Sequence, residues 1–317
     1  MPMFPYLGEI MALSVAFLWG LASVIWTAAG RTISSLELNL IKAVLASALM
    51  AATIWIGGIG LAGVPPMAIL LLTLSGAVGI AVGDTALFEA FQRIGPTRTQ
   101  LIKLLSPPLV SLAALASLHE KLSLSLFAGV IVTTFGILLV MTERLPNEMV
   151  SPRRFWEGVG LGLFSTLAEV AGVTIARGVL ARTSIDPAWS ALVRLLAAAV
   201  TAGLWLTLTR QPIGGWLNLN DRQNRKKDAT TIAGNPLSRR RLIGLILSGV
   251  FTGTFIGIWL QQAALKITEA GVAQTLFATS PLFILGIVAL TERKPPSPRA
   301  LSGVLIAISG VALLFFG

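Results

Sequence analysis

The residues best suited to chemistry are ionisable side chains that stand inside long apolar stretches. Lys42 and Arg194 each lie about six residues into such a stretch, whereas Asp84 and Glu169 lie deeper in two others. A charged residue near a bilayer centre costs roughly 2.5–3.5 kcal/mol on insertion scales, so each of the four needs a partner or a purpose. Lys42 and Arg194 could hold a carboxylate or phosphate of a solute, or could snorkel to the headgroups. Asp84 and Glu169 are candidate coupling residues that bind a proton or cation, or structural partners of neighbouring helices.

Uncharged residues extend this set of candidates. Phe88 and Gln92 follow Asp84 at helical spacing and are predicted to share its face. Pro107 and Pro281 interrupt apolar stretches, and a proline frees a backbone carbonyl that can bind a solute or simply kink the helix. Further candidate substrate-binding residues are therefore Phe88, Gln92, Pro107, Gln262 and Pro281. Glu89 is predicted to pair with Arg93, four residues along the chain. Lys103 could pair with Glu169 across the halves of the chain, and the sequence does not decide between this pair and proton coupling by Glu169.

Composition identifies the chain as an integral membrane protein. Of its 317 residues, 55% are hydrophobic and only 12% are charged, whereas soluble proteins carry about 25% charged residues. These values exclude a soluble enzyme, a disordered chain and a nucleic-acid-binding domain. The chain has no Cys and a single His, at position 119, so it offers no thiol chemistry and little for a metal site. We expect no cofactor and no metal.

Ten stretches are long and apolar enough for helices that cross a bilayer, which takes about 20 residues each. Their predicted limits are 7–28, 37–57, 67–91, 98–118, 124–142, 157–179, 187–209, 242–265, 270–290 and 300–316. The first basic residue is Arg31, so the first stretch lacks the basic start of a cleaved signal and is predicted to be a span. The fold class is therefore an all-α membrane protein with ten transmembrane helices, in which each helix satisfies its own backbone.

The chain repeats itself at a spacing of 174 residues. This shift brings a glutamine, a Ser-Pro pair and several small residues of the first half onto identical residues of the second: Gly79, Gly83, Ala90, Gln100, Ser106, Pro107, Gly129 and Gly136 fall on Gly253, Gly257, Ala264, Gln274, Ser280, Pro281, Gly303 and Gly310. At a shift of 152, Lys42 meets Arg194. The predicted domains are a five-helix repeat at 1–142, an inter-repeat loop at 143–156, and a second repeat at 157–317 with a basic loop at 211–241.

Because five is odd, the second repeat must enter the membrane opposite to the first. Inverted repeats are typical of alternating-access transporters, in which the solute binds near the midplane where the repeats meet. The sequence therefore predicts transport across the membrane rather than catalysis.

The ordered set of motifs resembles the drug/metabolite transporter superfamily, of EamA type. The resemblance rests on an Ala-rich third span, a proline in the fourth, a Glu-Lys turn, and Gly-x6-Gly in the fifth, with their counterparts in the second half. Trp19 and Gly20 in the first span and Lys42 in the second also fit. The resemblance implies a ten-helix solute carrier without ATPase activity and adds Trp19 to the candidate substrate-binding residues. It covers the chain except the basic loop, and it does not name a substrate.

Orientation is predicted differently by two arguments. Loops on the side away from the termini hold seventeen Lys and Arg, against three in loops on the other side. The positive-inside rule therefore places both termini outside, whereas the resemblance implies termini in the cytoplasm. The loop at 211–241 is either a basic patch for anionic lipid or a partner, or a solvated loop that fixes orientation. The expected location is the plasma membrane of a bacterium or archaeon.

The function predicted first is a secondary transporter, an exporter of a small polar or amphipathic metabolite such as an amino acid. Buried acids favour a proton as the coupled ion, with facilitated diffusion or exchange left open. The alternative is a non-transporting scaffold or receptor that retains the fold. A membrane enzyme is disfavoured, because the chain has neither HExxH nor GxSxG. Expected partners are a small solute and membrane lipids, not nucleic acid; the sequence does not determine the oligomeric state.

Overall fold

The computed structural model describes residues 6–61, 63–107, 109–110, 128–129, 131–133, 135–136, 139, 151–211, 214, 238–292 and 297–315. Within these ranges the chain is helical apart from turns and short connections, so the all-α prediction is confirmed for them. Seven described helices are long and apolar enough to cross a membrane, and the apolar helix Pro298–Gly310 is shorter. The predicted spans 98–118 and 124–142 lie largely outside the described residues, so the count of ten stays a prediction.

The second helix has clear local start and stop signals. The helices of the first half are α1 (Leu7–Ala29), α2 (Ser35–Gly57), α3 (Pro66–Gly76) and α4 (Gly83–Ile102). At the start of α2, the Ser34 hydroxyl accepts a hydrogen bond from the Glu37 N–H, which satisfies a free donor of the first turn. Its end is Gly58, whose φ of 60° is a left-handed conformation that glycine adopts without a steric penalty. The bounds of α1 and α2 agree with the first two predicted spans to within two residues.

The third span is not a regular α-helix. A π-helical segment, Ala77–Val82, joins α3 to α4, so its hydrogen-bonding pattern is widened by one residue at this point. Further along, Gly95 (φ 80°, ψ 165°) breaks α4 immediately before Pro96. The third span therefore ends near Ile94, and the fourth begins at Pro96. A 3-10 turn, Lys103–Leu105, follows α4.

The second half has corresponding irregularities. Its helices are α5 (Pro152–Arg182), α6 (Pro187–Leu208), α7 (Arg239–Gly249), α8 (Gly257–Ile267), α9 (Ala270–Phe277), α10 (Ser280–Glu292) and α11 (Pro298–Phe315). A second π-helical segment, Val250–Ile256, joins α7 to α8. The two π-helical segments end immediately before Gly83 and Gly257, which are equivalent at the 174-residue spacing. The gap between α9 and α10 precedes Pro281 as the 3-10 turn precedes Pro107, so both predicted proline positions coincide with an interruption.

Small residues allow these helices to pack closely, while large apolar residues face outward. A Cβ added to Gly172 in α5 would lie 3.0 Å from the Cα of Gly79, so the two backbones are in direct contact. By contrast, Trp55, Leu208 and Leu290 are each more than 80% exposed. Exposed apolar side chains of this size suit a surface that contacts lipid tails.

The last helices of the two halves meet through a reciprocal contact. A Cβ added to Gly136 would lie 2.5 Å from the Gly303 carbonyl oxygen, and one added to Gly310 would lie 2.7 Å from the Gly129 carbonyl oxygen. At the 174-residue spacing, Gly136 is equivalent to Gly310 and Gly129 to Gly303. Each contact is therefore the image of the other, which is the relation that a two-fold axis imposes.

Candidate functional site

A cavity lies between helices from both halves of the chain. Its wall combines α1, α2, both π-helical segments, α4, α5, α6 and α8. The space that water can occupy is about 80 Å³. That is room for a few water molecules, since each takes about 30 Å³ in the liquid. Among the described residues, the wall carries five ionisable side chains: Lys42, Asp84, Lys103, Glu169 and Arg194.

Lys42 and Asp84 form an ion pair between α2 and α4. Lys42 is only 4% exposed, so it does not snorkel to the lipid headgroups. Its ammonium also lies 5.0 Å from the centre of the Phe88 ring, a cation–π distance. Lys42 therefore faces the cavity with its charge already balanced by a carboxylate.

Lys103 and Glu169 form a second ion pair, which joins the two halves. Lys103 Nζ lies 2.7 Å from Glu169 Oε2, and Glu169 Oε1 accepts a hydrogen bond from Gln274 Nε2 at 3.0 Å. The Lys103 ammonium lies 5.9 Å from the Trp19 ring centre. Both side chains are mostly buried, so this is the pairing across halves that the two isolated charges predicted.

Arg194 differs from the two lysines, because among the described residues it takes part in no ion pair. It is 3% exposed, and its guanidinium donates a long hydrogen bond of 3.4 Å to Gln261 Oε1. Its Nε is buried without a partner in the described part of the chain. With all five side chains ionised, the cavity therefore carries one excess positive charge, centred on Arg194.

Aromatic side chains form the apolar part of the wall. Trp19 and Trp26 project from α1, and Phe88 and Phe91 from α4. Trp19 is fixed by its indole N–H, which donates to the Gly253 carbonyl oxygen at 3.1 Å. That carbonyl belongs to the second π-helical segment, so the irregular backbone supplies an acceptor that positions the ring.

A smaller chamber opens behind the Lys103–Glu169 pair. It holds about 20 Å³ of solvent space, enough for about one water molecule, and shares Trp19, Gln100, Lys103 and Glu169 with the main cavity. Gln274 and Ser280 complete its polar side, and Pro281 also lines it. Gln274 Nε2 donates to Ser106 Oγ at 2.6 Å as well as to Glu169. The chamber is therefore a side pocket at the two proline interruptions.

The structure brings most of the predicted site residues together. Those that line the main cavity are Lys42, Arg194, Trp19, Phe88, Asp84 and Glu169. Pro281 lines the side chamber, and the wall of neither cavity includes Pro107 among its described residues. Gln262 points away, since its Oε1 accepts from the Ser190 hydroxyl at 2.8 Å, and Gln261 takes the cavity-facing place. Trp26 and Gln100 line the cavity but were not selected from the sequence; the match of Gln100 with Gln274 was the available signal.

Gln92 lies in a different cavity at the helix ends. The side-chain amide of Gln92 donates to the Thr27 carbonyl oxygen at 3.0 Å, and the main-chain carbonyl oxygen of Gln92 accepts from the Arg154 guanidinium at 3.2 Å. The predicted Glu89–Arg93 pair also lines this second cavity, where Arg93 reaches Glu157 of α5 at 3.8 Å. These charges connect the end of the third span to the start of α5.

Comparisons with known proteins agree with this architecture. The sequence matches the model of the EamA-like transporter family over residues 6–142 and 156–316. A chain from a protein crystal structure aligns with a TM-score of 0.72 at 13% identity, covering 96% of this chain and 95% of its own; at that identity the likeness concerns the fold alone. Comparison with curated proteins finds no match. Because the family model matches nearly the whole length in two consecutive blocks, the chain is a multi-pass membrane protein that belongs to the EamA-like transporter family.

Proposed function

We propose that this protein is a secondary transporter that carries a small metabolite with an anionic group, such as an amino acid, across the membrane by alternating access. The main observation in support is that Arg194 is buried without an ion-pair partner among the described residues. It is a buried guanidinium that faces the cavity and is bonded there only to an amide oxygen among the described residues. Burying such a charge is costly unless it is paired, so the site favours a carboxylate or phosphate as the missing partner.

The other charges of the cavity support this assignment of roles. Lys42 and Lys103 each have a carboxylate partner, so neither needs a solute to balance it. A monoanionic solute at Arg194 would bring the five described charges of the cavity to overall neutrality, and a zwitterion would add no net charge, whereas a cationic solute would raise the charge of the cavity to two. A guanidinium can also bind a carboxylate through two parallel hydrogen bonds, which fixes the orientation of the solute.

The size of the cavity favours a small solute. About 80 Å³ of solvent space between aromatic walls leaves no room for a large drug or a lipid without movement of the helices. The ring faces of Trp26 and Phe88 provide apolar contact for the rest of the molecule. A solute with a charged head and a short apolar body matches both parts of the wall.

Alternating access between two inverted five-helix repeats is supported by the matched irregularities of the halves. The π-helical segments, the interruptions before Pro107 and Pro281, and the reciprocal contact of the last helices recur at the 174-residue spacing. Corresponding interrupted helices in two halves are the typical surroundings of a transporter binding site. We place the solute site at the midplane between 1–142 and 157–317.

Proton coupling is the second part of the proposal. Asp84 and Glu169 each hold a lysine, and protonation of either acid would release that lysine to bind an anion. Proton binding and solute binding would then favour each other. Because this linkage moves proton and solute in the same direction, the export that we also propose, in the plasma membrane of a bacterium or archaeon, would be driven by the outward gradient of the solute.

Flux into proteoliposomes tests the proposal. Amino acids, sugars and organic cations are each offered with and without a pH gradient, to the wild-type chain and to a Lys42→Ala/Arg194→Ala variant. Arg182→Ala removes an exposed positive charge outside the cavity and serves as the matched control. We expect flux of an anionic or zwitterionic solute that is driven by the gradient, kept in the control and lost in the double variant. Absence of flux for every class, from folded protein, would instead favour the scaffold or receptor function.

A further inference from the structure

One hydrogen bond at the side chamber lacks the counterpart that the repeat predicts. Gln274 donates to Ser106, a hydrogen bond between the second half and the first. At the 174-residue spacing, the image of this bond would run from Gln100 to Ser280. That image is not formed, because the Ser280 hydroxyl is buried without a partner among the described residues. Gln274 Oε1 is likewise buried and unpartnered there.

The four side chains of the two bonds, one present and one absent, lie at the same small chamber. Gln100, Gln274 and Ser280 line the same small chamber, which Ser106 borders through its bond to Gln274. Ser106 and Ser280 each stand directly before a proline, at the matched interruptions of the fourth and ninth spans. An unsatisfied buried hydroxyl costs about 1–3 kcal/mol, so the arrangement with an idle Ser280 has a natural alternative in which that hydroxyl is bonded.

Symmetric and asymmetric contacts have different meanings in a protein with two-fold related halves. Each contact between the halves has a counterpart, formed by the equivalent residues at the 174-residue spacing. When the two halves exchange conformations, a contact whose counterpart is also formed is preserved. A contact whose counterpart is not formed breaks, and the counterpart forms instead. The glycine contact between Gly136 and Gly303 has its image present and can persist as a pivot. The Gln274–Ser106 bond has its image absent, although the residues that would form that image are present, and it is therefore a contact that can alternate.

We infer that Gln274–Ser106 and Gln100–Ser280 are alternating latches: the first holds the arrangement in this structure, and the second replaces it when the cavity opens to the opposite face of the membrane. The inference rests on the proposed alternating access, and it adds the residues that set the balance between the two arrangements. These four are positioning residues, and no solute contact is assigned to them.

Two single substitutions test the latches, because they should act in opposite directions. Ser106→Ala removes the acceptor of the bond that is present and shifts the protein toward the other arrangement. Ser280→Ala removes the acceptor of the bond that is absent and shifts it toward this one. Since one hydrogen bond contributes about 0.5–1.5 kcal/mol, each shift should be about 2- to 10-fold, and the double variant should return near the wild-type balance.

Because the chain contains no Cys, a single introduced thiol can report which face of the membrane the cavity opens to. Ser23 lines the cavity, so Ser23→Cys places a single thiol there with little change in shape. A membrane-impermeant thiol reagent is added to one or the other face of sealed vesicles, and the ratio of the two labelling rates reports the balance. Ser309→Ala, at an exposed hydroxyl that bonds within its own helix, is the matched control and should leave the ratio unchanged.

Opposite shifts that cancel in the double variant would establish the latches, even if no solute in a flux screen is moved. Shifts in the same direction, or no shift in either variant, would overturn the inference while leaving transport itself untouched. A thiol that can be labelled from one face only, in every variant, would also overturn it. Loss of flux together with an unchanged ratio would show a structural role for these serines.

Discussion

Removing one partner of the Lys103–Glu169 pair should destabilise the protein more than removing both. At 2.7 Å and an effective dielectric constant of about 20, the gross attraction is about 6 kcal/mol. The side chains are 14% and 12% exposed, so most of that energy offsets the cost of removing both charges from water. A single substitution leaves one buried charge without its partner, which costs about 3–5 kcal/mol.

The perturbation is a double-mutant cycle with Lys103→Met and Glu169→Gln. Methionine keeps most of the side-chain volume, and glutamine keeps an oxygen that can accept from Gln274. We expect each single variant to lower the free energy of unfolding by about 3–5 kcal/mol and the double variant by about 0–2 kcal/mol. The coupling energy, which is the sum of the two single effects minus the effect of the double variant, should therefore be at least about 4 kcal/mol, above the range of about 0.5–3 kcal/mol that is usual for side chains in contact.

Thermal unfolding of the purified protein in detergent measures the four members of the cycle. The two single variants should melt well below the wild type, and the double variant should recover most of the loss. Additive effects, with a double variant that is less stable than either single variant, would show that the two charges do not depend on each other. The pair would then not be the bond between halves that the structure describes.

Two further predictions concern packing and coupling. Gly172→Ala should destabilise the protein by about 1–3 kcal/mol, because its Cβ would meet the Gly79 backbone at 3.0 Å. Gly244→Ala, in open space, should be neutral or slightly stabilising. The melting temperatures of the two variants measure this difference, and equal temperatures would contradict the close approach of Gly172 to Gly79. Asp84→Asn and Glu169→Gln are measured separately, and one of the two variants should still exchange solute but no longer accumulate it in a pH gradient. Gradient-driven uptake that persists in both variants would exclude these acids as the proton carriers.

Much of the cavity could be predicted from single buried charges. Lys42, Arg194, Asp84 and Glu169 were selected because charge is expensive inside an apolar stretch, and all four line one cavity. The same reasoning paired Lys103 with Glu169 across the halves. This part of the site could be predicted because a buried charge is unfavourable unless it is paired with an opposite charge or binds a ligand.

Helix rotation explains the glutamines that the sequence misplaced. Eight residues at 100° each leave Gln92 about 80° from the direction of Asp84, so the two do not share a face closely enough to line one cavity. Gln261 and Gln262 are neighbours about 100° apart, and only one of them can face the cavity. Periodicity alone could not choose between them, because their neighbours are apolar on every side.

The backbone irregularities were beyond the reach of sequence pattern. Both π-helical segments lie in apolar runs without proline, and their widened turns depend on tertiary bonds such as those from the Asn39 amide to the Ile80 and Ala81 carbonyl oxygens. The helix break at Gly95 was closer to prediction, since a Gly-Pro sequence is a helix-ending signal. Local chemistry therefore predicted where helices end, and packing decided how they are distorted.

The central claim is that Arg194 holds the anionic group of the solute, and a matched pair of solutes tests it most directly. An amino acid and its carboxamide, which differ only in that charge, are compared for flux through the wild-type protein and an Arg194→Gln variant. A charge-assisted hydrogen bond of about 1.5–3 kcal/mol predicts a preference for the carboxylate of about 10- to 100-fold in the wild type, lost in the variant. An undiminished preference in Arg194→Gln would contradict the claim.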